Sequence, residues 1–197
     1  MGVTPFPSEP WDLHGHGLVT LGLAPAATVR VPAGYRPVTL AGRAVVCVAL
    51  LTYTEPSPLT YHEVLATVLV RRGVRFRVHI TDIRVDSPTS RDGGRALWAI
   101  PKELADFEDH GRRAVGVAAA TLHRIRGRLT LPVRFRLAQP HDDGIVVTPI
   151  RGSVSLSPAR AAWEFDPSGP FAHLAGLRPL GHVLIRRLHL VFGPADR

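Results

Sequence analysis

The sequence predicts a mainly β domain, a barrel or sandwich of many antiparallel strands with a few short helices. Three observations carry that expectation. Apolar residues alternate with arginines in "VRFRVHITDIRV" (74–85), "LHRIRGRLTL" (122–131) and "VRFRL" (133–137). Successive strand side chains point to opposite faces, so these segments read as half-buried strands with their arginines in solvent. Gly and Pro number 18 each among 197 residues, which suits short strands joined by turns. Helix signals, finally, are few.

Taken in order, residues 1–12, "MGVTPFPSEPWD", are proline-rich and predict an extended surface lead-in. Strands are expected over 18–23, 43–53, 61–70, 74–85, 114–121, 122–131, 133–137, 144–150 and 181–192, and in 74–85 the inward set is Val74, Phe76, Val78 and Ile80. Turn residues separate them at 71–73, 141–144 and 176–181. One helix is expected over Ser90–Trp98, weakened by Gly93 and Gly94. A turn or two is expected over Lys102–Asp109 behind Pro101. Ser157–Trp163 has a serine cap, a proline at the first position and good helix formers after it, and predicts a third. Nothing divides the chain, so residues 1–197 are read as one domain.

Composition removes several classes. A hydrophobic fraction of 45% excludes disorder. No apolar run reaches the roughly 18 residues that cross a bilayer, and no basic-then-apolar leader opens the chain, so no membrane partner and a cytoplasmic location are expected. Cys47, the one cysteine, lies within "RAVVCVALL" and reads as a core residue. The net charge is +8, which permits polyanion binding. The arginines fall on solvated strand faces, however, and the Ala/Val/Gly/Pro/Arg bias is that of a GC-rich genome. Nucleic acid is therefore not the expected partner.

Familiar catalytic signatures are missing: there is no phosphate-binding glycine loop, CxxC, HExxH or G-x-S-x-G. His14 and His16 form the only close histidine pair, and two ligands do not make a metal site; no cofactor or metal is expected. What stands out is "ALWAIPKELADF" (96–107). Of 24 Lys+Arg residues, Lys102 is the only lysine. Arginine is always charged, whereas lysine can lose its proton and attack a carbonyl carbon to form an imine. The apolar neighbours Leu97, Trp98, Ala99 and Ile100 predict a dry setting, and burial alone lowers a lysine pKa. A second segment, "LLTYTEPSPLTYHEV" (50–64), packs Tyr53, Glu55, Tyr61, His62 and Glu63 between apolar runs.

At these residues the chain resembles the acetoacetate decarboxylase family. The family's G-R-E-L-x-x-x-P-K-K-L reads "GRALWAIPKEL" here, Gly94 to Leu104. The upstream tyrosine, threonine and glutamate read "YTE" (53–55), and "PWDLHGH" (10–16) shadows the N-terminal segment P-Y-x-F-H-x-R. The resemblance covers about residues 10–110. It implies an antiparallel, cone-shaped double β-barrel with an enclosed active site, often oligomeric. It also implies a lyase of the decarboxylase type that forms a Schiff base with a small β-keto acid or related carbonyl substrate. Lys102 takes the imine-forming position, and Glu55 that of a general acid/base or orienting carboxylate. Arg95 is the candidate for a substrate carboxylate, with an ion pair to Asp86 or Asp92 as its structural alternative. His16 stands in the place of the family's N-terminal arginine, and Trp98 and Tyr61 line the pocket or the core. The chain departs from the pattern at Glu103, where the family has a second lysine, and over Val38–Thr52, which holds no acid. The alternatives to an enzyme are a barrel of this type that binds a small hydrophobic or acidic ligand without catalysis, and a basic polyanion binder.

Overall fold

The computed structural model describes residues 5–142 and 144–196, apart from the side chain of residue 124. Its elements, in chain order, are β1 (Trp11–Pro25), β2 (Arg36–Pro37), β3 (Thr39–Leu40), β4 (Arg43–Thr54), β5 (Tyr61–Arg72), β6 (Arg75–Val85), α1 (Pro88–Trp98), β7 (Lys102–Leu104), β8 (Phe107–Glu108), β9 (Arg113–Ala114), β10 (Ala118–Arg124), β11 (Leu129–His141), β12 (Gly144–Phe165) and β13 (Arg178–Phe192). The mainly β expectation is met.

Strand pairing closes a ring. The order β11–β6–β5–β4–β1–β13–β12 returns to β11 through the β11–β12 hairpin. Every neighbour in that ring is antiparallel except β6 and β11, which meet in parallel at Val78 and Leu137. The 22-residue β12 makes this possible, because it serves β11 with one part of its length and β10 with its last residues, Ala159–Phe165. β10, β9 and β8 run on from it outside the ring.

The ring's two surfaces bury separate cores. Leu13, Leu51, Tyr53, Ile80, Ile83, Ile150 and Leu190 belong to the inner one. Leu18, Val46, Val48, Leu50, Val64 and Val68 pack on the other side, under Ala114, Val117, Phe171 and Leu174. Strands β4 and β5 are thus covered on both faces. That explains why "RAVVCVALL" is a nearly continuous apolar run instead of an alternating one.

Five local expectations need correction. The strand expected over 114–121 is interrupted at 115–117, where Gly116 takes a positive φ, and the one expected over 122–131 is interrupted at 125–128, around Gly127, so that β10 ends at Arg124 and β11 begins at Leu129. Residues 157–163 are strand, the C-terminal part of β12. Antiparallel pairing with β10 and β13 supplies the backbone partners there, and tertiary pairing outweighs the local helix preference. Lys102–Asp109 holds the short strands β7 and β8, since β7 finds a parallel partner in β6. Val74 and Phe76 are exposed (Val74 at the β5–β6 turn, where the strand leaves the core), so the buried alternation begins at Val78 and Ile80. The lead-in lies partly outside the described residues. From Pro5 to Pro10 the chain is neither helix nor strand. Among the described residues, no helix is long and apolar enough to cross a membrane.

Candidate functional site

The chain that carries Lys102 is bent into position by three features of its sequence. α1 begins at Pro88, two residues before the expected Ser90, with Ser87 as N-cap accepting from the Ser90 N–H and Pro88 at the first position. It ends at Ala99, in the left-handed region at φ 54°, whose N–H bonds back to the carbonyl oxygen of Arg95 at 3.0 Å. Pro101 cannot extend a helix, and the chain leaves as β7, with Lys102 opposite Ile83 of β6.

Gly93 and Gly94 cost α1 about 1 kcal/mol each relative to alanine. Their role is in packing. A Cβ on Gly94 would stand 2.8 Å from Cδ of Lys102, and one on Gly93 would stand 2.6 Å from the Trp11 ring. The helix lies directly against the lysine side chain because these positions have none of their own.

Lys102 is 3% exposed and runs into a cavity of about 240 Å³ inside the ring. Its Nζ lies 3.0 Å from Oε2 of Glu63 and donates to Oγ of Ser90 at 2.8 Å and to the Tyr61 hydroxyl at 3.3 Å. The Tyr53 hydroxyl donates to Oε1 of Glu63 at 3.2 Å. The ammonium also stands 4.8 Å from the centre of the Tyr61 ring. The remaining walls are almost wholly apolar, from Leu51, Ile80, Phe135, Leu190 and Phe192 among others. Trp98 closes against Trp11 edge-on at 4.9 Å and donates its indole N–H to Glu9.

The electrostatics correct one expectation. Burial pushes Lys102 toward its neutral form, as its apolar neighbours suggested. The Glu63 carboxylate and the Tyr61 hydroxyl more than offset that, and the Lys102 pKa lies above its ordinary value. The resting site is therefore an ammonium–carboxylate pair. Burial, only partly opposed by the nearby ammonium, pushes the Tyr61 phenol up to about 12. Burial, then the Glu63 charge, raises Tyr53 as well, so both phenols stay protonated at neutral pH. Cys47, on the cavity wall, is pushed up by burial to about 11 and is an unreactive thiol at that pH.

The other predicted residues are distributed differently. Tyr61 and Trp98 are buried around the lysine. Glu55 is exposed in the turn between β4 and β5, outside the cavity lining, because the hairpin carries it past the last inward position, Tyr53. Arg95 is turned outward. Its Nε donates to the Lys102 carbonyl oxygen at 2.7 Å, and it pairs with Glu103, not with Asp86 or Asp92. Strand alternation separates Glu103 from the lysine beside it. His16 lies on the other side of the sheet, in a separate cavity of about 270 Å³ with His110 and Arg112.

Glu63 is the residue that sequence reasoning passed over. Its signal was present: on β5 the positions Tyr61, Glu63, Leu65 and Thr67 share one face, and an acid among them faces the interior. The carboxylate sought on β4 comes from its hairpin partner, where Glu63 pairs with Leu51. Among the described residues, no metal-ligating cluster lies around the lysine. The described residues do bring Asp12, His14 and His189 together on the outer surface of β1 and β13, with ligand atoms within 4.8 Å of one another.

The fold and site together are a ring of mostly antiparallel strands closed around one buried lysine–carboxylate pair. The family model for acetoacetate decarboxylase matches residues 25–170, and the chain belongs to that family. Among solved structures it is similar to acetoacetate decarboxylase from Legionella pneumophila, at 16% identity and a TM-score of 0.73 over 100% of this chain and 90% of that one. The enduracididine biosynthesis enzyme MppR in complex with pyruvate aligns at 15% identity and a TM-score of 0.61, over 99% and 91%. An acetoacetate decarboxylase-like enzyme from Sphingomonas wittichii RW1 aligns at 15% and 0.54, over 97% and 93%. No curated protein matches the sequence. At these identities the structural likeness speaks for the fold.

Proposed function

We propose that the protein is a Schiff-base-forming lyase of the decarboxylase or aldolase type, acting on a small carbonyl compound through Lys102. The observation that carries this is a single buried lysine aimed into an apolar cavity, with a carboxylate 3.0 Å from its amine. In the pair, Lys102 passes a proton to Glu63, which neutralises both charges in a dry setting. The free amine adds to the carbonyl carbon. The C–O bond then breaks, water leaves with the proton returned by Glu63, and a protonated imine remains beside the Glu63 carboxylate. That cation accepts the electron pair released when a bond at the neighbouring carbon breaks, giving an enamine. Protonation and hydrolysis release the product and the amine. Tyr61 and Ser90 hold the amine in place, and Tyr53 orients Glu63. Family membership supports this reading. A cytoplasmic, homo-oligomeric protein belongs to the same proposal, and light scattering reads the assembly.

The second reading is a binding protein without catalysis. It is favoured by one observation, the Glu63 carboxylate 3.0 Å from Nζ, which favours the ammonium form of Lys102. Lys102→Arg separates the two, since arginine keeps the charge opposite Glu63 but forms no imine. Borohydride reduction with a carbonyl compound should add mass to the peptide containing Lys102 in the wild type and not in the variant. Ligand binding that survives in Lys102→Arg, with no wild-type adduct, supports the binding protein.

A further inference from the structure

Resting on the imine reading, we infer that the substrate is a neutral, apolar ketone and not a keto acid. The argument is a charge count inside the ring. Among the described residues that line the cavity, Lys102 is the only cation and Glu63 the only anion, and they neutralise each other at 3.0 Å. The two candidates for holding a substrate carboxylate are both elsewhere: Arg95 is turned outward onto Glu103, and His16 is across the sheet. The Tyr53 hydroxyl is committed to Glu63 and the Trp98 indole to Glu9. A carboxylate brought into this space would be a second anion without a counter-charge, at a cost of several kcal/mol. If it displaced Glu63 from the ammonium, Glu63 would become the unpaired buried charge.

A neutral ketone meets neither penalty. Condensation with the ammonium form of Lys102 gives a protonated imine and one water, so the charge on the lysine nitrogen is still +1 and Glu63 still balances it. Glu63 then takes a proton from the carbon next to the imine, which leaves a neutral enamine and a neutral acid. The chemistry this supports is proton exchange, aldol addition or its reverse, in which no carbon dioxide is lost. The rest of the molecule would lie against Leu51, Ile80, Phe135, Leu190 and Phe192. At about 30 Å³ for each water-sized unit, the cavity of about 240 Å³ takes about eight non-hydrogen atoms.

The test uses the wild-type protein, which has only two kinds of primary amine, the α-amino group and Lys102. Borohydride trapping is run at equal concentration with methyl ethyl, methyl butyl and methyl hexyl ketone, and with pyruvate and acetoacetate. Peptide mapping reads the label, and the α-amino group reports non-specific reaction. We expect Lys102 to be labelled by methyl butyl ketone about ten-fold or more above either keto acid, a difference of about 1.4 kcal/mol. Labelling should rise with chain length until the cavity is full. Keto acids that label Lys102 as well as the ketones do would overturn the substrate class and leave the imine intact. No label on Lys102 from any compound would overturn the imine reading, and this inference with it.

Discussion

Leu50 and Leu51 are neighbours on β4 and face opposite sides of the sheet. Leu50 packs into the core under Phe171 and Leu174, while Leu51 is part of the cavity wall around Lys102. The same division runs along β5, where Val64, Ala66 and Val68 belong to the filled core and Glu63, Leu65 and Thr67 to the cavity. Two surfaces of one hairpin thus do different jobs. One is packed under Phe171 and Leu174 along most of its length, with a cavity toward the His16 end, and it fixes the hairpin. The other gives up packing to keep a space, and it holds the ionised pair.

The largest effect comes from breaking that pair. Lys102→Met leaves Glu63 buried without a counter-charge and should cost about 3–5 kcal/mol. Glu63→Leu added to it removes the orphan, and most of the loss should return, read as the urea midpoint of each variant. The pair also carries a pH signature. The Lys102 pKa is raised in the folded state, so its contribution is fully present below the ordinary lysine value of 10.5 and is lost as pH climbs through the raised one. Lys102→Met should flatten the alkaline side of the stability curve. A double variant no more stable than the single would refute the view of the pair as mutually dependent.

Leucines on the two faces give a smaller contrast. Leu174→Ala removes a side chain that is 1% exposed in the packed core, opens a void there and should cost about 2–5 kcal/mol. Leu51→Ala enlarges a space that already exists, so its cost should fall near 2 kcal/mol, the lower end of that range. Its main effect should be on which ketone labels Lys102, with the optimum moving to a longer chain. Equal destabilisation, with no change in chain-length preference, would erase the distinction between the two faces.

How far this was legible from sequence differs from one residue to the next. The strands over 43–53, 61–70 and 181–192 were clear because burial imposes its pattern over many residues. Residues 157–163 were not, because a serine, a proline and helix formers give a local signal that the pairing of β12 with β10 and β13 overrides. Lys102 was legible through its rarity and motif. Glu63 sat in the quoted stretch but was passed over for Glu55: both are acids near tyrosines, and only the register of the hairpin shows which one turns inward. The carboxylate's effect on the lysine pKa was hidden for the same reason.

Gly94 tests how tightly the cavity side is set. Gly94→Ala should gain about 1 kcal/mol of helix propensity, but its Cβ would come within 2.8 Å of Cδ of Lys102. Overpacking of this kind costs about 1–3 kcal/mol. The net change in stability should be near zero to about 2 kcal/mol of loss, with a larger relative fall in borohydride labelling of Lys102. A variant that is more stable and labels as the wild type does would show that the lysine has room to spare.

The smallest expected effect distinguishes the two acids. Glu55 is exposed in the turn, so Glu55→Gln should change stability by less than about 0.5 kcal/mol and leave labelling of Lys102 unaltered. Glu63→Gln keeps the size and one hydrogen bond, yet removes the group that takes the lysine proton, so labelling should fall sharply. Arg95→Ala belongs with Glu55: its pair with Glu103 is solvent-exposed, and such pairs contribute about 0–1 kcal/mol. A modest loss of labelling in Arg95→Ala would be understood through its bond to the Lys102 carbonyl oxygen, which positions β7. Labelling that depends on Glu55 and ignores Glu63 would reverse the assignment, moving the chemistry from the interior of the ring to its rim.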